Sequence, residues 1–327
     1  MVSYLEGRTQ KVKSNKLISR PRFVYAGVPQ GSVLGPLLFS LFVNDVFPVC
    51  QYVNIHAYAD DIQLYLSSRI GLVEDLCFKI NSDLSAISVW AAGNSLCLNA
   101  SKSYVLPVCN SVVYVDCIPK LWIGTSPLSF TDKIRNLGFI LNSKLTCTDH
   151  INKVVSSVYA ILCKLRVSAT FTPLETRRKL VLQLIMPIIT YSEVVYSKLD
   201  SISCHKLNVA FNNATRYVYG IGRYEHISAC RTNILGCSLE NYLAARNCIF
   251  IYKLTVFKIP AYLFEKLIPV RSQRHNSFIV PKLTYLASSR LFFINAVRVW
   301  NSLPETVKSG LNRFNYRTQI YNYFKNY

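Results

Sequence analysis

The chain has 327 residues, 51% of them hydrophobic, with only 12 Gly and 13 Pro, a composition that excludes a disordered or collagen-like protein and leaves room for two or three packed domains. Its formal net charge is +20, and the surplus is lopsided: residues 1–150 hold 13 basic and 10 acidic side chains (+3), residues 151–327 hold 24 and 7 (+17). An excess of this kind points to a polyanionic partner, usually nucleic acid; the basic residues alternate with aromatics and helix formers, unlike the polybasic block that an acidic membrane surface attracts.

No apolar run is long enough to span a bilayer. The greasiest, "LLFSLFV" (37–43) and "LVLQLIMPII" (180–189), are broken by Asn44-Asp45 and Pro187. The opening "MVSYLEGRTQ" has neither an apolar core nor a cleavage site of a signal peptide. Eleven cysteines, an odd number with no CxxC pair, read as reduced core thiols of an intracellular protein, with nucleus or cytoplasm unresolved. His226, Cys230, Cys237 and Cys248 are spaced by 4, 7 and 11 residues, which fits no common zinc finger.

In chain order, a basic stretch comes first: Arg8, Lys11, Lys13, Lys16, Arg20 and Arg22, with no acid between Gly7 and Asn44. "GVPQGSVLGPLLFSLFVNDV" (27–46) follows. Its first half is a glycine-punctuated loop. Its second half predicts a helix from Ser32 or Pro36 to Phe47, stopped by Pro48 and apolar nearly all round, hence buried beneath a sheet.

"NIHAYADDIQLYLS" (54–67) alternates with a period of two. Ala57, Ala59, Ile62, Leu64 and Leu66 fall on one face, Asn54, His56, Gln63 and Tyr65 on the other. It predicts a hairpin broken at Asp60-Asp61, with both acids at the tip. A two-residue hairpin turn wants φ > 0, no Gly is present, and Asp is a tolerant substitute. Taken alone, the pair reads as a solvated turn, because turn chemistry far outnumbers catalysis at such a spot.

Residues 72–90 predict a helix through Leu72, Leu76, Ile80, Leu84, Ile87 and Trp90. Strands are expected near 95–98, 103–108 and 112–118, and a strand with a turn over 134–142. Helices dominate afterwards. One carries Ile151, Val155, Val158, Leu162 and Leu165 on a face, with Thr148 or Asp149 placed to cap it. "TPLE" (172–175) reads as a capping box with Pro at the first helical position, opening a helix that bears Arg177, Arg178 and Lys179. Helices near 203–219 (ended by Gly220), 239–257, 291–301 and 312–325 complete the chain.

"GVPQGSVLGPLLFSLFVND" followed by "AYADD" closely resembles the palm of reverse transcriptases, in particular the LINE-type (non-LTR) retrotransposon family. "SYLEGRTQKVK" (3–13), "LCLNASKSYVL" (96–106), "IRNLGFILNSKLTCTDHI" (134–151), "RHNSFIVP" and "VWNSLP" resemble its flanking segments. The resemblance implies an α+β fold: a partial right-hand polymerase palm (1–147; antiparallel sheet, catalytic hairpin, buried helix), a helical basic thumb (148–220) and a helical C-terminal region (221–327).

It implies RNA-directed DNA polymerase activity on an RNA template and a DNA primer, by phosphoryl transfer with two Mg²⁺ ions. Asp60 would be a metal ligand and Asp61 a weaker one, since magnesium favours carboxylates and phosphate oxygens. Gly27, Gln30 and Gly31 would meet the incoming nucleotide, and Lys102 matches a family lysine suspected as general acid, although a lone lysine on a surface turn is as good a reading. Tyr58 would pack under the primer end, and Lys153, Arg177, Arg178 and Lys179 would hold nucleic acid.

The family's other metal-binding aspartate lies well upstream of the Pro-Gln-Gly loop. Only Glu6 precedes that loop here, so the chain is expected to be truncated and inactive alone. The alternative is a catalytically dead nucleic-acid-binding remnant of a transposable element.

Overall fold

The computed structural model describes residues 2–109, 118–196, 199–270, 276–280 and 292–326. They form two units, Met1–Thr131 and Asp132–Tyr327. The architecture is α+β.

The first unit opens with α1 (Val2–Leu5). Short antiparallel pairs follow: β1 (Thr9–Gln10) with β4 (Arg22–Phe23), and β2 (Lys13–Ser14) with β3 (Leu17–Ile18). Then come α2 (Gly35–Phe42), the hairpin β5 (Asn54–Tyr58) and β6 (Asp61–Tyr65), and α3 (Val73–Gly93). β7 (Tyr104–Val105) pairs in parallel with β10 (Ser129–Phe130), and β8 (Trp122–Ile123) runs antiparallel to β9 (Ser126–Pro127). Among the described residues each strand has a single partner, so two-stranded pairs stand where an antiparallel sheet was expected.

Helix α3 organises this unit. Its apolar face buries Cys77, Leu84 and Ile87, and Cys77 and Leu84 pack with Leu121 and Leu128, while Leu64 of β6 packs against the same cluster. Its polar side chains bind the surrounding backbone. Asn81 accepts from the Trp122 amide (3.0 Å) and donates to the Lys120 carbonyl (3.1 Å), fixing the start of β8. The carboxylate of Asp83, 2% exposed, accepts from the amides of Gln51 (3.0 Å), Tyr52 (2.8 Å) and Val53 (2.8 Å), the residues that lead into β5.

The expectation of a buried apolar helix is corrected here. α2 ends at Phe42 and gives way to a 3-10 turn, Asn44–Val49, that runs through Pro48. Leu37 is 57% and Leu41 64% exposed, and Phe42 is exposed too. A helix apolar on every side needs partners on every side. The described residues leave this face uncovered, and the burial falls instead on Val43 and Val46 just beyond the helix.

The second unit begins with the hairpin β11 (Lys133–Asn136) and β12 (Phe139–Asn142). Leu137 (φ 46°) and Gly138 (φ 86°) form its two-residue turn, the φ signs of a type I′ hairpin. A Cβ on Gly138 would meet the Tyr191 hydroxyl at 3.1 Å and its ring at 3.2 Å, and Tyr191 donates to the Leu137 carbonyl, so the turn is clamped from outside. Then come α4 (Thr148–Val167), α5 (Leu174–Leu180), a π-turn (Val181–Ile185), α6 (Met186–Thr190), α7 (Ser201–Tyr219), α8 (Leu239–Phe257), α9 (Ala261–Phe264), α10 (Phe292–Asn301), α11 (Glu305–Ser309) and α12 (Tyr316–Lys325). The π-turn ends two residues before Pro187, which lacks the amide an α-helix would use there.

Several expected boundaries hold: Gly220 ends α7 at φ 68°, and α8 spans the expected residues. The caps are Asp200, through the Ser203 amide (2.9 Å), for α7 and Ser238 for α8. Others shift. No strand forms at 95–98, the strand expected at 112–118 lies almost wholly outside the described residues, and the last helix starts at Tyr316. Neither Thr148 nor Asp149 caps α4, because Asp149 accepts from Asn142 instead (2.8 Å). The capping box at 172–175 is also absent: Pro173 is the cap residue, and the Thr172 hydroxyl donates back to the Ser168 carbonyl (2.7 Å).

Two apolar clusters succeed one another. Ile151, Val158 and Leu162 of α4 pack with Ile185, Ile189, Leu207 and Phe211; further on, Ile251 and Leu254 of α8 pack with Val297, Trp300, Ile320 and Phe324. Each large side chain so buried contributes about 1.5–3 kcal/mol. Glu193 and Arg246 tie the two regions at 2.5 Å. Burial works against the Arg246 charge, but the Glu193 hydrogen bond and charge outweigh it and its pKa is raised.

The segments "NSF" and "VWN" find each other: Asn301 exchanges two hydrogen bonds with the Phe278 backbone (3.0 and 2.7 Å), and Trp300 donates to the Asn276 carbonyl (2.9 Å).

Two stability predictions follow from buried polar groups. Asp83→Ala strands three amide donors and is expected to cost roughly 3–5 kcal/mol in urea unfolding; a loss under 1 kcal/mol would contradict the anchor. His150, 3% exposed and stacked on Phe139 at 4.1 Å, has its pKa lowered to about 4 by burial and then by Lys153. The unfolded chain therefore takes up a proton near pH 6.5 that the folded chain refuses down to about pH 4. His150 stabilises the fold in full above pH 6.5. That contribution falls away as the pH drops, by about 3 kcal/mol at pH 4. His150→Phe should flatten the slope between pH 7 and 4 in unfolding titrations.

Candidate active site

The glycine loop and the acidic hairpin both lie in the first unit. Gly27 (φ 74°) and Gly31 (φ 80°) hold left-handed backbone that a side chain would strain, although no atom lies within 4 Å of either missing Cβ. Gly27, Gln30 and Gly31 are exposed, so the loop presents backbone to solvent. Arg8 holds it: its guanidinium donates to the carbonyls of Gly27 (2.7 Å), Ala26 (3.3 Å) and Leu5 (3.0 Å). Tyr4 donates to Ser32, whose hydroxyl accepts from the Gly35 amide at 3.1 Å and so fixes the passage from loop to α2.

In the hairpin, Ile55 faces Leu64 and Ala57 faces Ile62, all half-buried, as the period of two requires. On the exposed face His56 stacks on Tyr65 at 5.3 Å. The turn is one residue earlier than expected. Tyr58 pairs with Asp61, so Ala59 and Asp60 form the turn and Asp61 is the first residue of β6. Ala59 takes φ 52°, the positive φ that a primed turn asks of its first central residue.

Asp60 and Asp61 are both exposed, and neither side chain takes a hydrogen bond or ion pair among the described residues. Their oxygens are thus available to a hard cation. Mg²⁺ commonly uses one or two carboxylates, with waters and substrate phosphates completing its octahedron, and an exposed, unpartnered carboxylate such as that of Asp60 has the donor chemistry such an ion takes. No third His, Cys, Asp or Glu joins them among the described residues, nor do His226, Cys230, Cys237 and Cys248 form a metal cluster.

Lys102 ends a 3-10 turn, Ala100–Lys102, and is exposed; Asn99 caps this turn by accepting from the Lys102 amide at 3.3 Å. Lys153 on α4 and Lys179 on α5 are exposed. Arg177 and Arg178 are half-buried, and Arg177 donates to the Tyr217 carbonyl at 3.0 Å. Sequence reasoning missed the positioning roles of Asp83 and Arg8. The signal for Asp83 was present: it is a carboxylate on the apolar stripe of α3, beside Leu84.

Residues 2–141 match the model of the family described as reverse transcriptase (RNA-dependent DNA polymerase). The match covers 140 of the 327 residues. The chain is 29% identical over 249 residues to the RNA-directed DNA polymerase from mobile element jockey of Drosophila funebris, covering 73% of this chain and 26% of that protein. It is 32% identical over 169 residues (50% and 18%) to the probable RNA-directed DNA polymerase from transposon X-element of Drosophila melanogaster. The similarity to that from transposon BS is 27% over 227 residues (66% and 25%). The chain thus spans about a quarter of the length of these relatives or less. No solved structure matches it.

Ala59→Gly should relieve the left-handed strain and raise stability by about 1 kcal/mol, read as a higher Tm; an unchanged or lower Tm would show that the turn is not strained there.

Proposed function

We propose that this chain is the metal-binding hairpin and nucleic-acid-gripping part of a non-LTR retrotransposon RNA-directed DNA polymerase. Asp60 is the principal Mg²⁺ ligand and Asp61 assists it. The observation that carries the reading is the pair of free, adjacent carboxylates on a rigid hairpin, within the segment that matches the reverse transcriptase family. Bound Mg²⁺ would neutralise charge developing on the phosphate oxygens during nucleotide transfer to a primer 3′-oxygen.

The chain's own residues do the rest. Gly27 and Gly31 let a nucleotide approach the backbone, and Gln30 contacts its sugar or base. Tyr58, 66% exposed beside the turn, offers a ring to the primer end. Lys102 supplies a proton to the leaving pyrophosphate. Lys153, Arg177, Arg178 and Lys179 hold the RNA template and DNA primer. By itself the chain binds one ion and does not extend a primer, because a two-ion centre needs a further carboxylate that does not join Asp60 and Asp61 among the described residues.

A second reading, nucleic-acid binding without catalysis, is favoured by the +17 charge of residues 151–327. It predicts binding that weakens steeply with salt.

Mn²⁺ titration followed by NMR is the test. Paramagnetic broadening should centre on Ala59, Asp60 and Asp61 and be lost in Asp60→Asn, while the purified chain should show no primer extension. Equal broadening in wild type and variant would remove the metal assignment, leaving the binding-only reading. Extension abolished by Asp60→Ala would instead show that the chain is a complete catalyst.

A further inference from the structure

A cavity of about 850 Å³ opens among α4, α5 and α7 and the loop after Gly220, wholly within the second unit. Four arginines line it, Arg166, Arg177, Arg216 and Arg223, and no carboxylate does. The nearby Glu225 carboxylate accepts from the Gly222 amide at 3.2 Å.

Part of this charge has a structural explanation. Arg177 donates to the Tyr217 carbonyl at 3.0 Å, meeting one of the free acceptors at the end of α7. Arg216 donates to the carbonyls of Gly222 (3.1 Å) and Glu225 (2.7 Å) and so shapes the loop. The remainder is unexplained by the fold. The Nε of Arg177 is buried without a partner, and so is the Tyr217 hydroxyl. The guanidinium groups of Arg166 and Arg223 make no hydrogen bond or ion pair within the described residues, and that of Arg223 lies over the exposed Tyr224 ring at 5.8 Å. Four guanidinium groups about one cavity repel each other, and an anion relieves that repulsion.

We propose that this cavity binds a nucleotide through its phosphate. Guanidinium forks suit phosphate oxygens, and the volume lies within the range of small-ligand sites, ample for a mononucleotide. The remaining lining suits a base and a sugar. Asn213 spends its amide hydrogens on Tyr159 (3.1 Å) and the Val209 carbonyl (3.0 Å), leaving its oxygen to accept; Asn212 offers a second amide and Tyr159 a ring. The site lies outside the hairpin and its metal. It extends the nucleic-acid grip proposed above and rests on that reading only for the expectation that the nucleotide is part of a strand.

The test uses the full chain without metal or duplex. Fluorescence anisotropy would follow a labelled twelve-nucleotide single-stranded DNA, with adenosine monophosphate and inorganic phosphate as competitors. The double variant Arg166→Gln/Arg223→Gln should keep the wild-type circular dichroism spectrum and bind the strand about tenfold more weakly. Its slope of log K against log salt should be shallower by about 1.4, since each phosphate contact on a single strand counts for about 0.7. Competition by adenosine monophosphate that the variant loses assigns a whole nucleotide; strand binding alone assigns an internal phosphodiester; both support the inference. Unchanged affinity and slope overturn it, as does inorganic phosphate competing as well as the nucleotide, which would reduce the site to a simple anion hole. Absence of metal at Asp60 leaves these outcomes untouched, so the two readings fail separately.

Discussion

The hairpin that carries both free carboxylates stands on a third, buried one. Asp83 collects three consecutive amides, Gln51 to Val53, and thereby fixes the direction in which the chain enters β5. A buried carboxylate is tolerated only when its oxygens are satisfied, and backbone amides satisfy them without a counter-ion. Because those donors sit one to three residues before Asn54, the contact sets the start of the hairpin; the Leu64 contact with the α3 cluster holds its return strand. The turn at Ala59-Asp60 is then held on both sides, and no described residue competes for the Asp60 oxygens.

The rest of the first unit shows how little apolar packing accompanies that anchor. Its core is a small cluster around α3, while α2 keeps Leu37 and Leu41 in solvent. Hydrogen bonds carry the positioning instead: Arg8 on the loop carbonyls, Asn81 on β8, Asp83 on the approach to β5, and Asp45 accepting from the Trp90 indole at 3.1 Å. The second unit is the reverse. Long amphipathic helices bury two apolar clusters in succession, and charge is concentrated on the exposed faces and in the arginine-lined cavity.

The sequence was legible where one rule governed. The periods at 72–90, 203–219 and 239–257 became α3, α7 and α8 within three residues at each end, because the apolar spacing is sustained and Gly220 marks a stop. It was less legible where two local solutions were close in energy. A hairpin turn at 59–60 pairs Ala57 with Ile62, and a turn at 60–61 pairs Ala57 with Leu64. Either keeps every side chain on its own face, so the alternation cannot choose between them. The Thr172 hydroxyl likewise donates to the Ser168 carbonyl and does not cap α5.

By itself the sequence determined the α+β class, the hairpin and its pair of aspartates, the glycine loop and the concentration of charge in the second half, because each is written in local period, residue type or count. Tertiary structure decided what acts on those parts: which residue occupies the turn, that Asp83 and Arg8 hold the hairpin and the loop, and that arginines 166, 177, 216 and 223 meet around one cavity. Those contacts join residues from tens of positions apart, and no local periodicity encodes a contact that only the folded path of the chain brings within hydrogen-bond reach.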